Sequence, residues 1–444
     1  MTVAIGSGIS AQLGIAAEVY TSPVVTVAIT GTPTGGTFTV TINGATTSAI
    51  AYNATAATVA SAIQVLDTVQ SATTLTASGG PLPGTAAVVT MGGVLTNGAS
   101  PTVSATSSLA GGSSPAVTAT VTTQGSGYAT YATPTRFLEM KSESLNLQMS
   151  TINSAAVRAG NRVMRKDRFI QNKKGAAGPI SLEFATNGFG QVLQMMTGTA
   201  ASPTTPANGV LARQYTFMPA DMYGQSWTIQ LGRPNVTGNV TPFTYVGSKV
   251  VDWSITGQLD AILDLSLTID AQDEVLTQSL ASASYPTSQS LFSFTGAQVT
   301  VDGGAYDTRS VSFKATNGIK TDRYLLRGDS RKREPIINAM SSITGSLDME
   351  FQSTYTQTHF NSSTAAGALM AVTATWTGSL IETVASPGPY YQQLQITVPF
   401  ARVEGDTPNV AGPDVLTQSV PFTALWDGTT APITIVYTTT DTSL

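Results

Sequence analysis

The sequence predicts a mainly β protein that contains one unit twice and carries a small α+β domain as an insertion. Charged residues make up only 11% of the 444 positions, about half the usual share. Thr, Ser, Ala, Gly and Val dominate the composition. Thr and Val favour strands, whereas Gly and Ser favour turns, and apolar residues remain plentiful, so the composition indicates folded β structure rather than disorder.

The duplicated unit is a strand, a basic loop and a second strand. In order, its segments are SLNLQ (144–148), RKDRFI (165–170) and GPISLEF (178–184) in the first copy, and SVSFK (310–314), RKREPI (331–336) and GSLDMEF (345–351) in the second. Self-similarity over a long unit is a strong signal of internal repetition. Two copies in one polypeptide can replace two subunits of a symmetric ring.

The chain begins with an apolar arm at residues 1–23 and continues into a candidate inserted domain at residues 24–126. The first 130 residues contain no Lys or Arg, and this composition break indicates a unit of separate origin. Without the insertion, the apolar flanks on its two sides join into one segment. Because surface loops tolerate long insertions, we expect the domain to face outward.

Within the insertion, the sequence predicts strands, one helix and further strands. Predicted strands cover residues 24–29, 35–44, 50–53, 75–77, 86–91 and 116–122. Val59, Ile63, Leu66 and Val69 recur at helical spacing. Either Asn53 or Thr55 can cap the start of this helix.

The first copy spans residues 127–275, a Ser- and Thr-rich linker spans 276–289, and the second copy spans 290–444. In the first copy we predict strands at 136–148, 180–184, 225–231, 245–255 and 262–269, and a basic loop from Met149 to Gly178. Asn187 is the predicted cap of a short helix that includes Phe189 and Met196. In the second copy we predict a basic loop from Ala315 to Thr344, a weaker helix at 355–372, and strands at 394–398, 420–426 and 433–438.

Recognisable catalytic and metal-binding patterns are missing from the sequence. The chain has no Cys, which excludes disulfides and thiolate chemistry. Its single histidine, His359, has no supporting motif, so we interpret it as an ordinary surface or interface residue. We interpret Asp260, Asp264, Asp270 and Asp273 as solvated strand-face or turn charges, with an ion site as the alternative.

Several further features disfavour a phosphate-binding loop and set an expectation for location. Gly35-Gly36 and Gly111-Gly112 indicate turns, because neither leads into a Lys-Ser/Thr helix start. The N-terminus does not resemble a signal peptide, and no apolar run is long enough for a membrane span. We therefore expect assembly in the host cytoplasm.

The two basic loops are the most prominent charged feature. Their recurrence in both copies favours electrostatic contact with an acidic partner surface. Two solvated loops remain the simpler alternative. Nucleic-acid binding is disfavoured by the net charge of −5 and by the lack of interleaved aromatic residues.

The N-terminal arm and the start of the first copy resemble major tail (tail tube) proteins of long-tailed, siphovirus-type bacteriophages. The similarity lies in AQLGIAAE at 11–18 joined to TPTRFLEMKSESL at 133–145. The segment GGTFTVTING at 35–44, followed by IAYNATAATV at 50–59, is similar to a small domain of phage structural proteins. The resemblance implies two tandem tail-tube β-sandwich or barrel domains, each with a flanking helix.

The resemblance also implies function and partners. Chains would self-assemble into stacked rings that form a hollow tube, and genomic DNA would pass through its lumen during ejection without specific binding. Two copies per chain imply trimeric, pseudo-hexameric rings, with hexameric rings as the alternative. Implied partners are the tape-measure protein and the tail terminator and tip proteins; the location is the virion tail, with no cofactor, metal, membrane or enzymatic activity.

In this family a long loop reaches the neighbouring ring, so one interlocking loop per copy is expected. The residues assigned to inter-ring contact are Arg158, Arg162, Arg165, Lys166, Arg168, Lys173, Lys174, Arg323, Arg327, Arg331, Lys332 and Arg333. The alternative function is a host-cell or carbohydrate-binding fibre or adhesin module. An adhesin should show clustered aromatic residues, whereas aromatic residues make up 7% of this chain and are scattered.

Overall fold

The computed structural model divides into two compact units, which are described separately. It describes residues 10–19, 21–69, 75–92, 101–125, 130–156, 160, 162–286, 289–326, 330–352, 354, 359–360, 369–405, 408, 410 and 412–444. Unit 1 comprises Met1–Ala17, Ala132–Met222 and Trp227–Leu444, and unit 2 comprises Glu18–Tyr131 and Tyr223–Ser226. Apart from residues 127–131 and 223–226, both predicted copies therefore lie in unit 1, and their boundaries remain a prediction.

The described residues are mostly in strands, which confirms the mainly β prediction. Strands β1–β9 and helix α1 are β1 (Gln12–Ala17), β2 (Val24–Thr30), β3 (Gly35–Ile42), β4 (Ala45–Thr46), β5 (Ile50–Ala51), α1 (Ala56–Gln64), β6 (Leu75–Gly79), β7 (Ala87–Met91), β8 (Val103–Ala110) and β9 (Ala116–Thr123). The first predicted copy contains β10 (Arg136–Leu138), β11 (Met140–Glu143), β12 (Asn146–Asn153), β13 (Phe169–Glu183), α2 (Gly190–Thr197), β14 (Arg213–Phe217), β15 (Trp227–Pro234), β16 (Val240–Gln258), β17 (Asp264–Ala271) and β18 (Asp273–Val275). The second contains β19 (Ala297–Val301), β20 (Gly304–Ala305), β21 (Thr308–Thr316), β22 (Ile319–Lys320), β23 (Ile336–Ile337), β24 (Ser342–Glu350), β25 (Met370–Thr383), β26 (Pro389–Val403), β27 (Thr417–Ala424) and β28 (Thr434–Thr439).

A central antiparallel sheet runs through both copies in unit 1. Its strand order is β12-β13-β17-β16-β21-β24-β27. The two copies meet where β16 pairs with β21, from Asp252 opposite Thr316 to Gln258 opposite Ser310. A second junction joins them where β14 pairs with β28. The copies are consequently parts of one hydrogen-bonded structure.

Alternation along these strands separates a buried face from a polar one. Ile255 of β16, Leu265 of β17 and Phe313 of β21 are at most 1% exposed. They belong to one hydrophobic core that includes residues of both copies. Because successive strand residues point to opposite faces, the polar residues between them lie on the other face of the sheet.

Strand β16 belongs to two sheets, and Gly247 lies close to the point where the strand passes from one sheet to the other. Val240–Ser248 pair with β15 on one side, whereas Lys249–Thr256 pair with β17. Gly247 has φ +67°, and a Cβ there would lie 2.3 Å from Oε1 of Gln272. A side chain at this position would therefore combine an unfavourable backbone conformation with a steric clash.

Unit 2 has its own core and two sheets. One sheet has the order β6-β7-β2-β9, and the other joins β3 to β4, β5 and β8. Helix α1 is capped by Thr55, whose Oγ1 accepts a hydrogen bond from the backbone N–H of Thr58 at 3.1 Å. This selects Thr55 over Asn53 as the cap. The structure adds β8, which the sequence did not predict, and ends the helix before Leu66.

In unit 1, the structure bears on the two predicted helices, the one capped by Asn187 and the one at 355–372. Helix α2 forms at the predicted place, but its N-cap is Phe189, which makes no side-chain capping bond, so the predicted Asn187 cap is wrong. Asn187 instead donates to Oγ1 of Thr440 and accepts from Nε2 of Gln392. Of the predicted helix at 355–372, residues 355–358 and 361–368 lie outside the described residues, and β25 begins at Met370.

Replacing Gly247 by Ala should destabilise unit 1. We expect the free energy of unfolding to fall by about 1–3 kcal/mol, because the left-handed backbone conformation and the contact with Gln272 both oppose a Cβ. The four tryptophans, Trp227, Trp253, Trp376 and Trp426, all lie in unit 1. Denaturant unfolding followed by tryptophan fluorescence therefore reports on this unit.

Gly428→Ala is the matched control. Gly428 also has positive φ, +95°, but no atom lies within 4 Å of the Cβ that would be added. The difference between the two variants isolates the contribution of the Gln272 contact. Equal losses of stability would contradict a steric role for Gln272.

Candidate functional site

The first basic segment is a β-hairpin rather than the predicted long loop. Strands β12 and β13 pair from Asn146 opposite Ala177 to Asn153 opposite Phe169. In the connection between Asn153 and Phe169, the described residues 154–156, 160 and 162–168 form no strand or helix. We call residues 149–170 the tip hairpin. The sequence analysis predicted a loop here because apolar and polar residues do not alternate regularly along these two strands.

The tip hairpin exposes several large apolar side chains. Exposure reaches 56% for Ile152, 54% for Phe169, 72% for Ile170 and 82% for Val163. Single exposed apolar residues are common, but a concentration of them on one projecting element marks an interaction surface.

Cations of the tip hairpin lie in solvent. Arg162, Lys166 and Arg168 are exposed, and Arg165 makes an ion pair with Asp167 at 2.7 Å. Arg158 lies outside the described residues. The hairpin therefore combines apolar and basic side chains on the same projecting element.

The second basic segment folds back onto β13. The backbone N–H of Lys174 donates to the carbonyl of Ser330 at 2.9 Å. The Tyr324 ring lies 4.9 Å from Nζ of Lys173. Within the segment, β22 and β23 pair as a small sheet. This segment therefore braces the base of the first hairpin, and one interlocking loop per copy stays a prediction.

Two buried carboxylates bind the cations at this brace. Asp270 of β17 accepts from Nζ of Lys332 at 2.5 Å, and both side chains are at most 7% exposed. Asp273 lies between Lys174 at 2.6 Å and Arg331 at 3.2 Å. The interpretation of Asp270 and Asp273 as solvated charges is therefore wrong.

A further ion pair, between Lys249 and Glu334, is fully enclosed. Nζ of Lys249, on β16, lies 2.5 Å from Oε1 of Glu334. It also donates to the backbone carbonyls of Met222 at 2.7 Å and Pro335 at 2.8 Å. All three ammonium protons thus have acceptors, which is the condition for burying a lysine without a large penalty.

Burial shifts the protonation of these groups. It raises the pKa of Asp270 to about 6, against the opposing attraction of Lys332. It also lowers the pKa of Lys249, despite the nearby Glu334 carboxylate. In both groups, loss of hydration outweighs the ion pair.

The predicted inter-ring cations thus fall into different environments. Arg162, Arg165, Lys166 and Arg168 lie on the tip hairpin, and Lys173 stacks on Tyr324. Those engaged in the brace are Lys174, Arg323, Arg331, Lys332 and Arg333; Arg323 donates to the carbonyl of Glu334 at 2.5 Å, and Arg333 is 9% exposed. Arg327 lies outside the described residues. Contact of any of them with a neighbouring ring stays a prediction.

Sequence reasoning missed Lys249. The available signal was a lysine inside the otherwise apolar strand around Val246 and Val250, where a surface lysine is not expected. Its partner, Glu334, lies 85 positions away, and no local pattern could identify it.

The polar face of the central sheet is a second candidate surface. One row of aligned residues crosses six strands and consists of Glu183, Asp264, Thr256, Ser312, Ser346 and Pro421. The hydroxyl groups of Ser312 and Ser346 lie 2.9 Å apart. On the same face, Asp252, Asp348 and Glu350 outnumber Lys314. The side chains on this surface are mostly small, many carry hydroxyl groups, and the charged ones are mainly acidic. The surface continues from one copy into the other.

The described residues show no group of three or more His, Cys, Asp or Glu side chains that could hold a metal ion. His359 lies 3.7 Å from Asp302. No helix within the described part of the chain is long and apolar enough to cross a membrane.

Glu334→Gln should strongly destabilise unit 1. Removing the carboxylate leaves the Lys249 ammonium buried beside a neutral amide, which we expect to cost about 3–5 kcal/mol. The loss is measurable by denaturant unfolding followed by tryptophan fluorescence.

Two comparisons make this experiment specific. The double variant Lys249→Met/Glu334→Leu should recover most of the stability, because neither charge remains buried. Glu404→Gln breaks the exposed pair with Arg402 and should cost at most about 1 kcal/mol. A loss for Glu334→Gln no greater than for Glu404→Gln would contradict the assigned role.

The stability difference between the wild type and Asp270→Asn should depend on pH. Because the folded pKa of Asp270 is about 6 and the unfolded value is about 3.9, the folded chain retains a proton that the unfolded chain releases. The resulting stabilisation is complete below about pH 4 and is lost as pH rises through 6. Between pH 4 and pH 7, the variant should therefore gain about 2 kcal/mol relative to the wild type.

Unfolding titrations at several pH values test this dependence. Asp264→Asn, which breaks the half-exposed pair with Lys141, is the control and should cost at most about 1 kcal/mol. A difference between Asp270→Asn and the wild type that stayed constant from pH 4 to pH 7 would contradict the raised pKa.

Comparison with known proteins gives one finding about the family. A family model described as "Phage tail tube protein" matches residues 122–424, a span that includes the first predicted copy and most of the second and leaves out nearly all of the predicted insertion. A search of curated proteins finds no match. The family match covers more than half of the chain and confirms the resemblance to phage tail tube proteins, whereas the siphovirus type and the similarity of the inserted segment stay predictions. The chain therefore belongs to the phage tail tube protein family and is a structural protein of the virion tail.

Proposed function

We propose that this chain forms the hollow tail tube of a long-tailed, siphovirus-type phage from stacked rings of three chains each. The observation that supports this most directly is the β16–β21 junction, which joins the two copies side by side in one sheet. Each chain then supplies two tube domains, residues 1–23 with 127–275 and residues 290–444, connected by the linker at 276–289. Three chains would supply six domains, and rings of six chains are the alternative.

The same pairing can close the ring. In the first copy, β16 pairs with β17 and offers its other edge to β21. In the second copy, Ala401–Val403 of β26 pair with β27 in the corresponding way. Strand β12 pairs only with β13 among the described strands. Strand β25 pairs with β26 as far as Ala401, so the open edge of β26 begins beyond that residue. Pairing of this edge with β12 of the next chain would repeat the internal junction and satisfy both edges.

The acidic, hydroxyl-rich face of the central sheet suits the lumen. DNA carries a dense negative charge, so a lining that contains Asp252, Asp348 and Glu350 would repel it rather than bind it. Hydroxyl groups such as those of Ser312 and Ser346 keep the surface hydrated. Genomic DNA could then pass during ejection without specific contacts.

The tip hairpin is suited to contacts between rings. Its cations Arg162, Lys166 and Arg168 are exposed, whereas Arg165 pairs with Asp167. In the brace, Lys174, Arg331 and Lys332 already bind carboxylates of the same chain. We therefore place the inter-ring role on the tip hairpin. The tail tape-measure, terminator and tip proteins would meet the tube at its lumen and its two ends.

We assign residues 24–126 to an outward-facing decoration domain. Val19 and Thr130 pair in an isolated antiparallel bridge, so the two ends of this segment lie close together. Closely spaced ends allow a domain to occupy a surface loop of its host.

Electron microscopy of the purified protein tests the proposed assembly. We expect hollow tubes of stacked rings with threefold symmetry. A variant lacking residues 24–126 should still form tubes, with a smaller outer diameter and an unchanged lumen. A wild-type chain that stays monomeric at high concentration would contradict the assembly, and loss of tubes in the deletion variant alone would contradict the outward position of the insertion.

A further inference from the structure

A groove of about 520 Å³ lies in unit 1 where the two copies meet. Its walls include the apolar side chains of Leu259, Phe294 and Trp376. Leu259 is 50% exposed and Phe294 is 40% exposed. The Trp376 ring approaches Gly257 so closely that a Cβ there would lie 2.9 Å from the ring. The absence of a side chain at Gly257 therefore helps to define the groove.

The groove and the tip hairpin lie at opposite ends of the same sheet. Strand register aligns Glu183 with Asp264 and Ala176 with Ala271. The hairpin continues past the Ala176 end, from Ala176 to Phe169, which is about 23 Å of strand. The groove is lined by Gln258 and Thr308–Val311, which lie beyond the Asp264 end.

The charges of the two elements are complementary. Asp307 and Glu350 line the groove and are exposed, and Asp260 lies next to Leu259 in the chain. Arg309 is the one cation in the lining. The tip hairpin is mainly basic and carries exposed Ile152, Phe169 and Ile170. An acidic rim around apolar walls thus matches an apolar tip that carries cations.

We propose that this groove receives the tip hairpin of the next chain along the tube axis, so that its partner is a second copy of this protein. The inference rests on the proposed tube. It adds the receiving surface, which no motif of the sequence identified.

Symmetry supports a second copy as the occupant. A contact between unlike surfaces at opposite ends of one molecule is heterologous, and its repetition along an axis builds a filament. It would also remove the exposed apolar side chains of both surfaces from water, at about 25 cal/mol for each Å² buried. The tip hairpin points away from the groove of its own chain, so β12 and β13 would have to fold back along the sheet to reach it.

Because the chain contains no Cys, engineered cysteines test this contact on a clean background. We would prepare Ile170→Cys/Leu259→Cys, with Ile170→Cys/Phe294→Cys as a second pair, assemble the tubes and treat them with a short bismaleimide. Head-to-tail contact predicts a ladder of dimers, trimers and longer chains on denaturing gels. Either single variant should give no species beyond dimers.

Ile170→Cys/Val65→Cys is the matched control, because Val65 is 75% exposed and belongs to unit 2. It should give no ladder. Tubes visible by electron microscopy without a ladder in either groove pair would overturn the groove contact and leave the tube intact. Absence of tubes from the wild-type chain would instead overturn the proposed function.

Discussion

Antiparallel pairing of β16 with β21 is the constraint on which the rest of unit 1 depends. It turns two copies of a strand-loop-strand unit into one sheet, aligns their buried faces over one hydrophobic core and makes their polar faces continuous. Register matters here, because a shift of one residue would exchange the buried and polar faces of a whole strand. The bend at Gly247 allows β16 to take part in this sheet and in the neighbouring one.

The buried ion pairs distinguish the two copies. Lys249–Glu334 and Asp270–Lys332 hold the second basic segment against strands of the first copy. Buried ion pairs are weak contributors to stability but strong contributors to a specific arrangement, because each charge tolerates only positions where its partners are present. We infer that they direct this segment to brace the tip hairpin.

Local sequence patterns predicted elements that local physics controls. The Thr55 cap and the buried spacing of Val59 and Ile63 in α1 depend on neighbours within a few residues, and they form as predicted, although α1 ends before Leu66. Asn187 failed as a helix cap because Thr440 and Gln392, far away in the sequence, compete for its side chain. The tip hairpin was predicted as a loop because exposed strands lack the apolar alternation by which strands are recognised.

By itself, the sequence determined the β-rich class, the internal repeat and the resemblance to phage tail tube proteins, because composition and short motifs carry that information. Only the tertiary structure decided which basic residues are buried, which face of the shared sheet is acidic and where the groove lies relative to the tip hairpin. Those features depend on pairs such as Lys249 with Glu334 and Gly257 with Trp376. Such pairs are brought together by strand register across the two copies, which no local stretch of sequence encodes.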